Sequence, residues 1–324
     1  MESRLKAWRA KDGQASTGCV GLRIDGGPAL KRVLSHLKLG FLVAAVGFIA
    51  YAAKGASDEL DTLLAGAAVS TFCLAVLAWY SLHFISPVFS LLALRACGTR
   101  VGYRLALINH ASRLPARYLP GGIWHLVAKS LHFHEQGVKV PHITVLFLLE
   151  QALAISVTFL LGGAALWLVR GWEGWGAAGF LGASGATLLL LLMPLGLNRL
   201  VLTDGTGIRL LPYLKVVATV VLFWLVATMA FLLYMSGFPS LSMETSVADL
   251  GGSYLFSWGV GYLAFFAPQG VGVFEASLAG MLDNETSFQG LLVVVAGFRL
   301  VALVADIAAW LTAMALQTQG SRAS

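Results

Sequence analysis

Charge is what this sequence has least of. Asp, Glu, Lys and Arg make up 12% of its 324 residues, against 58% hydrophobic, and the mean hydropathy is +0.79. A soluble domain carries about twice that share of charge, so a soluble protein with a large core is excluded in favour of a membrane protein. Cysteine is scarce too. Cys19, Cys73 and Cys97 have no paired spacing, which excludes a disulfide framework and a zinc site. No nucleophile elbow, Walker loop or dinucleotide fingerprint stands in a suitable context, so no cofactor is expected and the chain reads as a non-enzyme. The net charge of +6 is placed for lipid headgroups and topology rather than for nucleic acid. The first apolar run begins near Leu34, behind a polar tail over residues 1–33, which is the wrong layout for a cleaved signal peptide and reads as disordered.

What is present is apolar sequence in long windows. None of the four charged residue types occurs from Thr62 to Leu94, from Gly174 to Asn198, from Val216 to Met243 or from Leu250 to Phe274. Each window exceeds the ~20 residues that cross the hydrocarbon. Six spans are predicted: Leu34 to Ala53, Thr62 to Leu82, Ile143 to Val169, Ala177 to Pro194, Leu214 to Met235 and Gly290 to Leu316.

A short motif recurs between these spans. Pro120-Gly121-Gly122-Ile123-Trp124-His125 is matched, 148 residues later, by Pro268-Gln269-Gly270-Val271-Gly272-Val273. A lone charge inside a long apolar run follows each copy, Glu150 thirty residues after Pro120 and Arg299 thirty-one after Pro268. A helix breaker at membrane depth must have its freed backbone groups satisfied by protein or by a water-lined cavity. Both copies therefore read as the tips of re-entrant helical hairpins, around 105–135 and 250–283. The first is too polar to cross outright, with Arg104, Arg113 and Arg117 before the tip and Lys129 after it.

Short cytoplasmic loops are enriched in Lys and Arg. With both motifs re-entrant, cytoplasmic segments hold 19 of the 22: eight from Arg4 to Lys38, seven from Arg95 to Lys139, three from Arg199 to Lys215, and Arg322. Lys54 and Arg170 face the other side, and both termini are cytoplasmic. In this layout residues 34–173 and 174–318 each run span, span, hairpin, span with opposite orientation, and 319–324 form a short tail. The expected fold is an all-α polytopic membrane protein, six transmembrane helices plus two re-entrant hairpins in an inverted repeat, the plan that binds substrate near the midplane.

Several residues could carry chemistry there. A carboxylate or guanidinium at mid-depth costs about 2.5–3.5 kcal/mol on insertion scales and needs a partner or a cavity. Glu150 and Arg299 are open to two readings: a structural pair, Glu150 with Arg299 or Arg299 with Asp306, or the lining of a polar path that contacts a headgroup or exchanges a proton. Glu275, on the returning arm of the second hairpin, is expected to line a cavity and, opposite Lys129, to give the two mouths opposite polarity. Gly121, Gly122, Gly270 and Gly272 free backbone amides that suit an anion, or serve only as tight turns. Arg113, Arg117, Lys129 and His125 form a basic collar, for phosphate or for ordinary positive-inside anchoring. His132, His134 and Glu135 lie in a polar loop without further ligands, so no metal is expected. Trp124, Trp167, Trp172 and Trp175 suit interface anchoring.

At these residues the chain resembles the lysylphosphatidylglycerol synthase transmembrane family, or flippase-like domain family. The likeness rests on Leu119-Pro120-Gly121-Gly122-Ile123-Trp124-His125 with Glu150-Gln151, then on Ala267-Pro268-Gln269-Gly270-Val271-Gly272-Val273-Phe274-Glu275 and Arg299-Leu300. It covers about Leu34 to Leu316. The sequence departs from the family pattern in having Lys129 where many relatives have Arg, and Pro-Gln-Gly in the second copy. The resemblance implies a bacterial inner-membrane protein that moves an anionic phospholipid or polyprenyl-phosphate-linked lipid between leaflets, without the soluble synthase domain of lipid-aminoacylating members. The partners it implies are a membrane lipid with an anionic headgroup and enzymes of envelope biosynthesis, with a homodimer left open and no nucleic acid. The alternative is a non-transporting scaffold for an envelope glycosyltransferase or lipid-modifying enzyme.

Overall fold

A computed structural model of the chain describes residues 66–118, 124–202, 207–239, 241, 245–264, 267, 270–282 and 287–322, with isolated helical positions between 43 and 55. The described elements belong to one compact unit, Lys38–Ser324. They are all helical: α1 (Val69–Ala96), α2 (Tyr103–Ala111), a 3-10 turn (Leu114–Tyr118), α3 (Trp124–Glu135), α4 (Val140–Arg170), α5 (Trp175–Leu200), α6 (Leu210–Met235), α7 (Val247–Leu263), α8 (Val273–Met281) and α9 (Phe288–Arg322). Among the described residues no strand occurs, and five helices, α1, α4, α5, α6 and α9, are long and apolar enough to cross a membrane. This is a multi-pass helical membrane protein.

Four predicted spans coincide with α4, α5, α6 and α9. The second is displaced. Predicted over Thr62 to Leu82, it begins at Val69 and continues through His83 and Pro87 to Ala96. His83, just past the predicted end, is buried against Asp306 of α9. Pro87 is tolerated mid-helix because neighbouring helices can re-satisfy the carbonyl it frees. The tail and most of the span expected at Leu34 to Ala53 lie outside the described residues.

Two packing devices bring the helices together. In α4, a methyl group on Gly162 would sit 2.5 Å from the Phe256 nitrogen of α7, and one on Gly163 would sit 2.3 Å from the Gly179 carbonyl of α5. Only hydrogen fits at either place, so α4 approaches both neighbours backbone to backbone, the close contact that small residues permit where lipid removes the hydrophobic drive. The second device is aromatic. Phe298 of α9 is surrounded edge-on by Trp79, Phe231 and Tyr254, and Phe231 stacks on Tyr254 with centroids 4.4 Å apart. Tyr234 adds a hydrogen bond from its hydroxyl to the Val294 carbonyl at 2.7 Å. These contacts seat α9 against α1, α6 and α7 immediately beside Arg299. The outward faces remain apolar, with Leu181, Leu188 and Leu191 of α5 all exposed, as a lipid-facing surface requires.

The second motif region forms a helical hairpin, and the first contributes two short helices and a 3-10 turn. In the second, α7 returns as α8 through a turn in which Gly270 and Gly272 take positive φ of 65° and 84°. A Cβ on Gly270 would lie 2.9 Å from the Gly261 Cα, so the turn closes directly on α7. At its open end Arg170 binds both carboxylate oxygens of Asp249 (2.7 and 3.0 Å) and the Met281 carbonyl (2.8 Å), tying α4 to both arms. In the first region, the 3-10 turn ends at Tyr118 and α3 begins at Trp124. Pro120, Gly121, Gly122 and Pro268 lie outside the described residues.

Candidate functional site

Each returning hairpin arm is joined to the next span by one ion pair. In the first half, Lys129 of α3 donates to Glu150 of α4 at 2.8 Å. In the second, Arg299 of α9 donates through Nε to Oε1 of Glu275 of α8. Glu150 and Arg299 each stand about three helical turns from the start of their spans. The polarity is reversed: the hairpin supplies the cation in the first half and the anion in the second.

The expectation that Glu150 pairs with Arg299, or Arg299 with Asp306, gives way to these partners. The physical reason is proximity along each hairpin: the returning helix lies against the very next span, and its charge is satisfied there. Glu275 is likewise not the cavity-lining carboxylate expected. It is 0% exposed and sits at the third position of α8, where its second oxygen accepts the Gly272 amide at 2.7 Å. That bond caps the helix start. The Gly270 amide, in turn, donates to the Ala267 carbonyl at 2.9 Å. The amides expected to receive an anion at this tip are therefore taken by the chain itself.

Lys129 and Glu150 are placed differently. Lys129 is 6% exposed, but the Glu150 side chain is 30% exposed, and the two border a small cleft of ≈ 10 Å³, room for about one water, with Ser130, Ile143, Leu146 and Phe147. Lys129 and Ser130 come to it from α3, and Ile143, Leu146, Phe147 and Glu150 from α4.

The basic collar separates into distinct tasks. Arg113 donates to the carbonyls of Ala128 (3.0 Å) and Asn109 (3.3 Å), and the buried Asn109 amide donates to the Lys129 carbonyl at 3.2 Å. These bonds sew α3 to α2, so Arg113 is a clamp of the hairpin rather than a headgroup ligand, and burial lowers its guanidinium below its usual value while Glu135 opposes. The His125 side chain lies outside the described residues. His132, at the polar end of α3 and 3.7 Å from Glu135, is held below the usual imidazole range by burial and by Arg113, with Glu135 opposing.

Arg117 makes the contact that sequence reasoning missed. Its Nη1 is 3.1 Å from Oδ2 of Asp306, which also accepts the Tyr118 hydroxyl at 2.9 Å. Oδ1 of the same carboxylate lies 3.0 Å from Nε2 of His83, in ion-pair rather than in-line hydrogen-bond geometry. His83 Nδ1 is 3.2 Å from Nε2 of His110 on α2. Asp306 is 1% exposed and His83 3%, and each stands near the middle of its helix. The signal that could have found this cluster was His83, the one titratable side chain of its kind in the window from Thr62 to Leu94.

The three groups converge. Arg117 also interacts electrostatically with Glu150 and with Tyr262 of α7, and Tyr118 interacts with Arg299. Residues leading into the first tip thus reach the charges of both halves.

The chain matches no family model and no curated protein. The site must be read from its own geometry. Ion pairs between helices, one at the edge of a small cleft, can exchange a partner for a charged ligand.

Proposed function

We propose that this helical membrane protein is a lipid translocase that moves an amphiphile with an anionic headgroup, a phospholipid or a polyprenyl-phosphate-linked lipid, between leaflets of a bacterial inner membrane. The observation that carries the reading is the pair of hairpin-to-span ion pairs of reversed polarity, Lys129 with Glu150 and Glu275 with Arg299. Two such joints, one in each part of the chain, accord with an inverted repeat of six spans and two re-entrant hairpins with both termini cytoplasmic. The resemblance to the flippase-like domain family supports the same reading. The headgroup enters beside Lys129 and Glu150, Arg117 gathers its charge, and the tails follow the apolar wall of Leu146 and Phe147. The second hairpin serves as the fixed wall.

The test is reconstitution in phosphatidylcholine vesicles with fluorescent phosphatidylglycerol or fluorescent polyprenyl phosphate and a quencher confined outside. Lys129→Met with Glu150→Gln removes both charges together, so no lone buried ion remains. It is expected to slow flipping about tenfold, equivalent to about 1.4 kcal/mol of barrier. Wild-type rates in the double variant would sink the assigned path.

One observation favours a second reading, a non-transporting scaffold for an envelope enzyme. The Glu275 and Arg299 pair is dry on the carboxylate side and capped by its own helix, which is how a static joint is built. A wild-type protein that flips neither probe, yet retains an envelope glycosyltransferase on copurification, would favour the scaffold.

A further inference from the structure

One tyrosine of the second hairpin stands at the partly exposed ion pair of the first. Two glycines of α7 fix its place along α4: a Cβ on Gly252 would meet the Ala165 Cβ at 2.8 Å, and one on Gly259 would meet the Phe159 ring at 2.8 Å. Advancing along α7 therefore means retreating along α4. Tyr262, the next turn of α7 after Gly259, comes down beside the stretch of α4 that leads back to Glu150. There it interacts electrostatically with Glu150 and with Arg117 of the 3-10 turn.

Its position is both held and open. The Tyr262 ring lies against Trp258 with centroids 5.9 Å apart and edge-on to Trp224 at 6.2 Å, and the two indoles are 5.8 Å from each other. Three rings in mutual contact fix the phenol. Even so, Tyr262 is 38% exposed, and the Arg117 side chain stays 29% exposed while it binds Asp306. A tyrosine that only anchors a helix at the membrane surface sits at the headgroup level beside lipid. This one is backed by tryptophans and flanked by an arginine and a glutamate.

We propose that Tyr262 is a headgroup-binding residue, whose hydroxyl, together with the Arg117 guanidinium, binds the phosphate of the amphiphile as it passes the Lys129 and Glu150 pair. The proposal rests on the translocase reading and adds to it a ligand from the second hairpin. Phosphate oxygens only accept hydrogen bonds, and a bond from a hydroxyl to an ionised oxygen is roughly twice as strong as one between neutral groups. A phenol supplies that donor without adding charge. Beside Glu150 a further cation would be drawn to the carboxylate, whereas a neutral donor can turn to whichever acceptor is there. Arg117 contributes its charge while it remains bound to Asp306, so no buried carboxylate is left without its partner. Because the ring is already held, little rotamer freedom is lost when the headgroup arrives. A fixed wall can in this way select a headgroup that moves.

Two measurements on the purified, full-length protein decide the matter: calorimetric titration in detergent with soluble dihexanoyl phosphatidylglycerol, and flipping of fluorescent phosphatidylglycerol, below saturation, in phosphatidylcholine vesicles. Tyr262→Phe keeps the ring on its two tryptophans and removes only the hydroxyl. It is expected to weaken binding and slow flipping by about tenfold each, with the thermal unfolding midpoint unchanged. Tyr213→Phe is the counter-case. The Tyr213 hydroxyl donates to the Leu190 carbonyl at 2.8 Å, so its loss should lower the midpoint and leave binding and flipping per folded molecule as in the wild type. Wild-type binding and flipping in Tyr262→Phe overturn the assignment and leave the translocase standing. A lowered midpoint alongside the loss of binding overturns it as well, since the hydroxyl would then be holding the fold. Binding that Tyr262→Phe weakens tenfold, in a protein that flips no lipid, supports the headgroup contact and defeats the translocase instead.

Discussion

The two hairpins share a plan and differ in dryness. Both return a short helix against the next span and join it there by one ion pair, yet Glu275 is sealed from solvent and bonded to its own helix start, whereas Glu150 opens on a cleft. A buried carboxylate held by a guanidinium and an amide together is closed to a ligand by its burial. A partly exposed one is not. On the translocase proposal, the second hairpin is the fixed joint and the first is the one that exchanges partners.

The largest effect should come from breaking the sealed pair. Glu275→Leu leaves Arg299 without its carboxylate and α8 without its cap, and is expected to destabilise the protein by about 3–5 kcal/mol in thermal unfolding in detergent. An equal loss from Glu150→Gln would erase the contrast between the hairpins. Next in size is Arg170→Met at the open end of the second hairpin. It frees the Asp249 carboxylate and the Met281 carbonyl, at about 1–3 kcal/mol, and should leave the flipping rate per folded molecule unchanged. Arg113→Met removes the corresponding clamp of the first hairpin and should cost about 1–1.5 kcal/mol, one hydrogen-bonded contact's worth, but it should also slow flipping, because it loosens the arm that carries Lys129. A purely static first hairpin would show the stability loss alone. The smallest effect is expected for His132→Gln, within about 0.5 kcal/mol. Acid should act there in one direction only: with its imidazole held below the usual range by burial and Arg113, stability is retained above about pH 6.5 and falls as protonation sets in below it.

The helices were largely legible in the sequence, because the hydrocarbon demands long uncharged windows and the chain supplies them. α5 and α6 appear where the uncharged windows lie, and α4 and α9 where apolar runs are broken by Glu150 or by Arg299 and Asp306. α1 was displaced, since its predicted end at Leu82 precedes His83, whose burial is accounted for by His110 and by Asp306, more than two hundred residues away. The importance of Lys129, Glu150, Glu275 and Arg299 was also legible, since a lone charge in an apolar run has to be satisfied. Their partners were not. Spacing from a motif suggested that Glu150 and Arg299 meet, but a span pairs first with the hairpin helix packed beside it.

Arg113 and Arg117 make the same point in opposite directions. Both looked like members of one basic collar, and four residues of separation sent one to backbone carbonyls of its own hairpin and the other to a carboxylate on the last span. By itself the sequence determined that this chain lives in a membrane, how its apolar helices are cut, and which few charges must be answered inside it, because insertion into lipid is a property of composition along one segment at a time. Only the tertiary structure decided which charge answers which, and which pair stays dry, because pairing energy falls steeply with distance and distances between helices are set by glycine contacts and aromatic packing that no single segment encodes.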